Sequence, residues 1–330
     1  MEHTHTTTTL PRPLSSLCWG QAGLMDWAGG NAVVDLQTGL ANSRIGWGSL
    51  FDAAIESPSG RYAVIYQRLG TKALLIGNGK FLRELNRSYY CAEEYDYPIV
   101  FIPGPDGAEL IAHCPDEYNR IELEDAETGR RIPVRGERKP SDFFHSRLQV
   151  SPGGRWFVSA GWIWHPVDWV EVWPLADAIA NPAVLDSSGI RPEADTDLND
   201  VAFIDDDRLL LASNADREAF DGKTEGMRPG TLGVFNPSTR TYESVAKVHE
   251  HIGQMLWLGN GRVVGFYKHP KIFDVATGEV LHRWPDINSG ERCGCITGYL
   301  GKLPHIALDP IRKRFAVATD TRLDVVQFTP

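Results

Sequence analysis

The sequence predicts an all-β chain folded as a β-propeller, a ring of seven blades of four antiparallel strands each, with a six-bladed ring as the alternative. Three observations carry that expectation. A unit of apolar strand, tight polar turn and second apolar strand recurs along the chain, the first turn repeats a Ser-Pro-x-Gly pattern, and a second turn, Asp-x-x-Thr-Gly, marks three of the units. Self-similarity at a period of roughly 40 to 50 residues is the mark of propeller blades.

The first turn reads Ser57-Pro58-Ser59-Gly60 ahead of Arg61-Tyr62-Ala63-Val64, and Ser151-Pro152-Gly153-Gly154 ahead of Arg155-Trp156-Phe157-Val158. Pro presets φ and Gly permits positive φ, so these segments reverse the chain between strands rich in β-branched and aromatic residues. The second turn reads Asp35-Leu36-Gln37-Thr38-Gly39, Asp125-Ala126-Glu127-Thr128-Gly129 and Asp274-Val275-Ala276-Thr277-Gly278. Asp or Thr can hydrogen-bond the turn backbone while Gly supplies the left-handed residue. Units begin near Leu17, Phe51, Ile99, Leu148, Val201, Met255 and Ile306. Merging Leu17 to Ile45 with the C-terminal unit would leave six. The last unit runs out at Phe328 after three strands, and Thr6 to Leu10 either supplies the missing outer strand or belongs to a disordered tail.

These units resemble the WD-repeat and related seven-bladed propeller superfamily, whose blades carry the same Ser-Pro-Asp/Gly-Gly-Arg and Asp-x-x-Thr-Gly turns. The resemblance is architectural. No Trp-Asp dipeptide closes a strand and no Gly-His pair opens a blade. The Asp274 to Gly278 turn also looks like part of the tryptophan-docking motif of quinoprotein dehydrogenases, but Trp284 comes late and only once, so no quinone cofactor is inferred.

Composition bounds the rest. The 330 residues are 42% apolar, enough for a large core in a single domain spanning 1–330, with 1–13 as tail or closing strand. Lys and Arg number 33 against 43 Asp and Glu, a net charge of −10 that repels polyphosphate and argues against nucleic acid. Five cysteines are too few and too scattered for a disulfide framework, and no signal peptide or membrane-length apolar run is present. A soluble, cytoplasmic protein with no membrane partner is expected. The best helix candidate is Pro174 to Asn181.

In a propeller the connections between blades and those between second and third strands share one face. The longest such connections, Arg87 to Asp96, Arg135 to Phe144, Trp162 to Trp169, Asp186 to Asn199, Ala215 to Gly230 and Asp286 to Pro304, should therefore emerge together and build the binding surface. His145, His249, His251 and His305 precede innermost strands, His165 and His269 lie in second-to-third-strand loops, and Asp200 and Glu94 should lie nearby. Such a rim could bind a metal or shuttle a proton, or its histidines could simply hydrogen-bond adjacent loops. No spacing matches a metal signature, so no cofactor or metal ligand is assigned, although the channel mouth has room for an ion. Trp164, with His165 and Asp168, could stack on a ligand, anchor a partner, or plug a gap between blades. Trp156 and Trp173, in strands, read as packing. Glu93 to Tyr97 could receive a cation, or its tyrosines could pack on the adjoining blade. Cys293-Gly294-Cys295 reads as an ordinary loop with buried thiols. The leading expectation is a scaffold that binds a protein or peptide on the loop-rich face. The alternative is an enzyme or small-molecule binder with a His/Asp-lined site at the channel mouth.

Overall fold

Alternate residues of each second strand enter different cores. Val64 packs toward one neighbouring blade and Ile65 toward the other, and Phe157 and Val158, Leu210 and Leu211, and Phe315 and Ala316 split the same way. Successive side chains of a strand point to opposite sheet faces, so these unbroken apolar runs define sheets buried on both faces. Stacking such sheets radially around an axis supplies every face with a partner.

The computed structural model describes residues 2–43, 45–47, 51–214, 219–220, 222 and 226–329. It is a seven-bladed β-propeller. Four sheets have four strands: blade 2 (Ala53–Glu56, Tyr62–Tyr66, Lys72–Gly77, Lys80–Asn86), blade 5 (Asp200–Phe203, Leu209–Ala212, Thr231–Asn236, Thr241–Lys247), blade 6 (Met255–Gly259, Arg262–Gly265, Lys271–Asp274, Val280–Arg283) and blade 7. In blade 1 (Cys18–Gly20, Gly23–Asp26, Ala32–Val33), blade 3 (Ile99–Pro103, Glu109–His113, Glu122–Asp125) and blade 4 (Leu148–Val150, Trp156–Ile163, Val167–Pro174) the fourth strand is reduced to one bridge, Val34–Ala41, Glu124–Arg131 and Val172–Ile190 respectively. The segment from Leu17 thus forms a blade of its own, which removes the six-bladed alternative. The one α-helix among the described residues is Leu175–Ala180. No helix among them is long and apolar enough to cross a membrane.

Blade 7 joins the chain ends. His305–Asp309, Arg314–Ala318 and Arg322–Phe328 are completed by His3–Thr9, which pairs antiparallel with Arg322–Phe328 in register His3 to Phe328 through Thr9 to Arg322. Asp324 fastens this strand: its Oδ1 accepts from Thr7 Oγ1 at 2.7 Å and lies 2.9 Å from His5 Nε2. Thr8 Oγ1 donates to the Leu36 carbonyl of blade 1 at 2.5 Å.

The turns form for the reasons their residues suggest. Ser57 and Ser151 accept the backbone N–H of Gly60 and Gly154 at 2.9 Å, and their hydroxyls accept from Tyr62 N and Trp156 N. Asp35, Asp125 and Asp274 each accept a turn N–H on Oδ1, and the Gly four residues on donates to the Asp carbonyl at 2.8 Å with φ of 71°, 72° and 75°. A fourth copy, Asn236-Pro237-Ser238-Thr239-Arg240, makes the same contacts with Asn for Asp and Arg240 held at φ 59°.

Deleting residues 2–9 would expose the Arg322–Phe328 edge and strip Asp324 of its partners. The expected result is a fall in unfolding midpoint on the order of 10 °C with concentration-dependent self-association, measured by calorimetry and light scattering. An unchanged midpoint in a monomer would show that the terminal strand contributes nothing to closure.

Candidate functional site

The inter-blade connection from Trp284 to Pro304, between blades 6 and 7, crosses the mouth of the central channel. Beyond its bonds to blade 6 at Ser289 and Gly290, it contacts blades 4 and 5 and the connection between blades 2 and 3. Cys293 Sγ donates to Asn214 Oδ1 of blade 5 at 2.9 Å. Cys295 donates through both N and Sγ to Asp168 Oδ1 of blade 4, at 3.0 and 2.8 Å. Ile296 bridges Tyr95, and Thr297 N and Gly298 N donate to the Glu94 carbonyl, in the connection between blades 2 and 3, at 2.7 and 3.1 Å. Arg292 ion-pairs with Asp96 of that connection. Gly294 sits at the crossing with φ 77°, and a Cβ there would stand 2.1 Å from Asp168 Oδ2. Only glycine combines that backbone with that approach.

Asp168 and Asp200 are consumed in holding this segment. Asp168 Oδ2 accepts from Asn199 Nδ2 at 2.8 Å, and Asn199 Oδ1 accepts Asn214 N at 2.8 Å, so one polar chain ties blades 4 and 5 to the crossing. Asp200 Oδ1 takes Arg147 Nη1 at 2.7 Å. Burial pushes the Asp200 carboxyl up to about 6 against the pull of Arg147. Burial, with Asp200 beside Cys293 and Asp168 beside Cys295, raises both thiols and keeps them protonated donors.

The histidines do not converge. His145 is 1% exposed, its Nδ1 3.1 Å from Ser159 Oγ and its ring edge-on to Phe143, inside blade 4 and away from the rim. Burial lowers its pKa to about 3. His165, at φ 111°, and His249 are exposed, and His251 lies 4.6 Å from the Tyr267 ring. His269 is lowered by burial and then by Lys271 and Arg283. Of the six, His305 alone lines the channel cavity described below. Among the described residues no three His, Cys, Asp or Glu side chains meet as a metal would require. Much of the expected loop from Ala215 to Gly230 (215–218, 221 and 223–225) lies outside the described residues.

The run from Glu93 to Tyr97 does receive a cation, but one of the chain's own. Arg87 lies 4.7 Å from the Tyr95 ring and 5.1 Å from that of Tyr97, and donates to the carbonyls of Gly70, Tyr95 and Asp96 at 2.7, 2.9 and 3.2 Å. This arginine shapes the connection against which the crossing docks. Nothing in its local sequence distinguishes it from a surface arginine.

Two surfaces remain open beside the crossing. The first is a cavity of about 660 Å³ in the channel, reached by residues of blades 1, 2, 6 and 7. Leu14, Phe51, Ile55 and Ile306 form apolar walls, and Tyr66, Arg68, Asp96, Arg292 and His305 supply the polar ones. The second is an aromatic platform between blades 3 and 4. Phe144 stacks on buried Trp162 at 3.8 Å between centroids and on Tyr118 at 4.2 Å, Trp164 stands edge-on to Phe144 at 5.5 Å, and Tyr90 lies 5.2 Å from Tyr118. Tyr90 and Trp164 are 44% and 46% exposed, whereas Trp156 and Trp173 are buried, in keeping with their strand positions.

No protein-family model and no curated protein matches this chain. Among solved structures it is similar to a chain of Kuenenia stuttgartiensis hydrazine synthase, with a TM-score of 0.59 and 13% identity over 97% of this chain and 96% of that one. At that identity the likeness shows the propeller fold alone.

Two outcomes test the site geometry. Gly294→Ala should dislodge the crossing, so that iodoacetamide labels Cys295 at least about tenfold faster by peptide mass spectrometry, while Cys114, buried between blades 3 and 4, stays unlabelled. Equal protection of both thiols would show that Gly294 does not hold the segment. For His145 the folded pKa lies below the unfolded 6.5, so its stabilising contribution is present above pH 6.5 and is lost as pH falls toward 3. Urea unfolding should show about 3 kcal/mol less acid loss between pH 7 and 4 in His145→Gln than in wild type. Identical losses would mean that His145 titrates alike in the folded and unfolded chain.

Proposed function

We propose that the chain is a binding module that receives a protein or peptide on its loop-rich face, with Tyr90, Tyr118 and Trp164 as the anchor. The observation that carries this is the aromatic platform itself. Two large rings stand nearly half exposed on a rigid stack of Phe144 and Trp162, so they offer contact area with little rotamer freedom left to lose. Tyr89, 84% exposed, follows the same connection, and His165 adds a polar rim. Asp168 plays no direct part, since its Oδ1 is engaged by Cys295 of the crossing and its Oδ2 by Asn199. The net charge of −10 favours protein over nucleic acid. The five free thiols, three of them hydrogen-bond donors, support a reducing, cytoplasmic setting.

A second reading, a small-molecule site at the channel mouth, is favoured by the cavity. Its polar residues include Tyr66, Arg68, Asp96, Arg292 and His305, the one of the six histidines that reaches it. The activity in the name of the structural neighbour belongs to that protein.

The platform is tested by placing a benzophenone amino acid at Tyr89 and, as a control, at Ile311, a fully exposed residue on the hairpin face. Irradiation in cell extract should give a discrete adduct from position 89, none from 311, and loss of the adduct when Trp164→Ala is added. The same adducts from both positions, or an adduct indifferent to Trp164→Ala, would contradict the platform as docking site.

A further inference from the structure

We infer that the channel cavity is a site for a small organic monocarboxylate with an apolar body, its carboxylate held by Arg292 and Arg68 and its body lying along Leu14, Phe51 and Ile306. This rests on the second reading above and supplies its ligand class.

Two guanidinium groups face a single carboxylate. Arg292 ion-pairs with Asp96 Oδ2, and Arg68 Nη1 stands 3.7 Å from Asp96 Oδ1, within ion-pair range but too far for a hydrogen bond. Asp96 is about nine-tenths buried, and its Oδ1 has no hydrogen-bond partner, nor does the buried Nε of Arg292. Each arginine brings five N–H donors in a planar fork, so one carboxylate cannot satisfy both. Both arginine side chains line a space large enough for a ligand.

One further carboxylate, Asp52, lines the cavity and offsets the excess of the two guanidinium groups over Asp96, but it stands at the exposed edge, where solvent screens it. Asp52 is solvent-exposed and its Oδ1 is taken by the Arg68 backbone N–H at 2.7 Å. Lys302 is turned outward onto Asp320. Burial lowers the pKa of His305, which leaves its ring neutral at pH 7. Burial and then Asp96 raise that of Tyr66, so its phenol stays a donor. A carboxylate between the guanidinium groups would take up the idle donors, and a bidentate contact is the geometry an arginine fork prefers. The apolar walls then ask for an uncharged, greasy remainder.

The test uses full-length protein and an isosteric set, hexanoate, hexanamide and hexylamine, with 3-phenylpropionate as a bulkier acid, in calorimetric titrations. The acids should bind, the amide should bind at least about tenfold more weakly, and the amine should not bind. Arg68→Gln and Arg292→Gln should each weaken acid binding at least about tenfold, and Arg155→Gln, on a distant hairpin turn, should not. Arg292 also anchors the crossing, so Arg68→Gln, a change within blade 2, keeps the result readable if the first variant loosens that segment. Equal binding of acid and amide, or preference for the amine, would leave a cavity site but overturn the carboxylate assignment. No binding of any probe would overturn the small-molecule reading with it.

Discussion

Every blade of this ring is a sheet with two apolar faces, and that is the constraint on which the rest depends. A soluble two-layer fold can hide one face of each sheet; here Val64 and Ile65, or Phe157 and Val158, are all fully buried on opposite sides. Among the described residues a distinct core lies between each pair of neighbouring blades, including blades 7 and 1, where Leu24 and Leu10 meet Ala316 and Leu323. Leaving the ring open would expose two such faces at once. The terminal strand therefore does more than tidy an edge: its contact with Leu36 and the pairing to Arg322–Phe328 hold the last interface shut.

A ring closed in this way leaves an axial channel, and the mouth of that channel is a junction where connections from several blades come within reach of one another. The crossing between blades 6 and 7 uses that junction. Its anchors are short and directional, backbone N–H and protonated thiol to Asp168, amide to the Glu94 carbonyl, guanidinium to Asp96. They divide the mouth in two. On the side of blades 4 and 5 the carboxylates are spent, and on the side of blades 1, 2 and 7 a cavity stays open with cationic groups around it. The aromatic platform stands just outside, and Cys295 shares a core with Tyr95, Phe144 and Trp162, so platform and crossing are mechanically one unit.

What could be read from the sequence was what is decided locally. Ser57 and Ser151, and Asp35, Asp125 and Asp274, fix their turns through atoms within five residues, so their spacing revealed the propeller fold and the order of its strands, while six and seven blades both stayed open. The Asn236 to Arg240 turn escaped because it keeps the geometry with different residues. The site was far less legible. Cys293 meets Asn214, Cys295 meets Asp168 and Arg292 meets Asp96 across 79, 127 and 196 positions, distances at which no local pattern carries a signal. The histidines misled for the same reason. Standing before an inner strand says which end of a blade a residue occupies, not whether its side chain turns to the axis, and His145 turns inward to Ser159.

The central claim, that the segment from Arg292 to Gly298 is fixed across the channel mouth, is tested most directly by amide hydrogen exchange in the intact protein. The N–H groups of Cys295, Thr297 and Gly298 should exchange as slowly as those of the inner strands, since the first is bonded to Asp168 of blade 4 and the other two to the connection between blades 2 and 3. Exchange at the rate of a free loop would contradict the crossing, and with it the division of the channel mouth on which both the platform and the cavity rest.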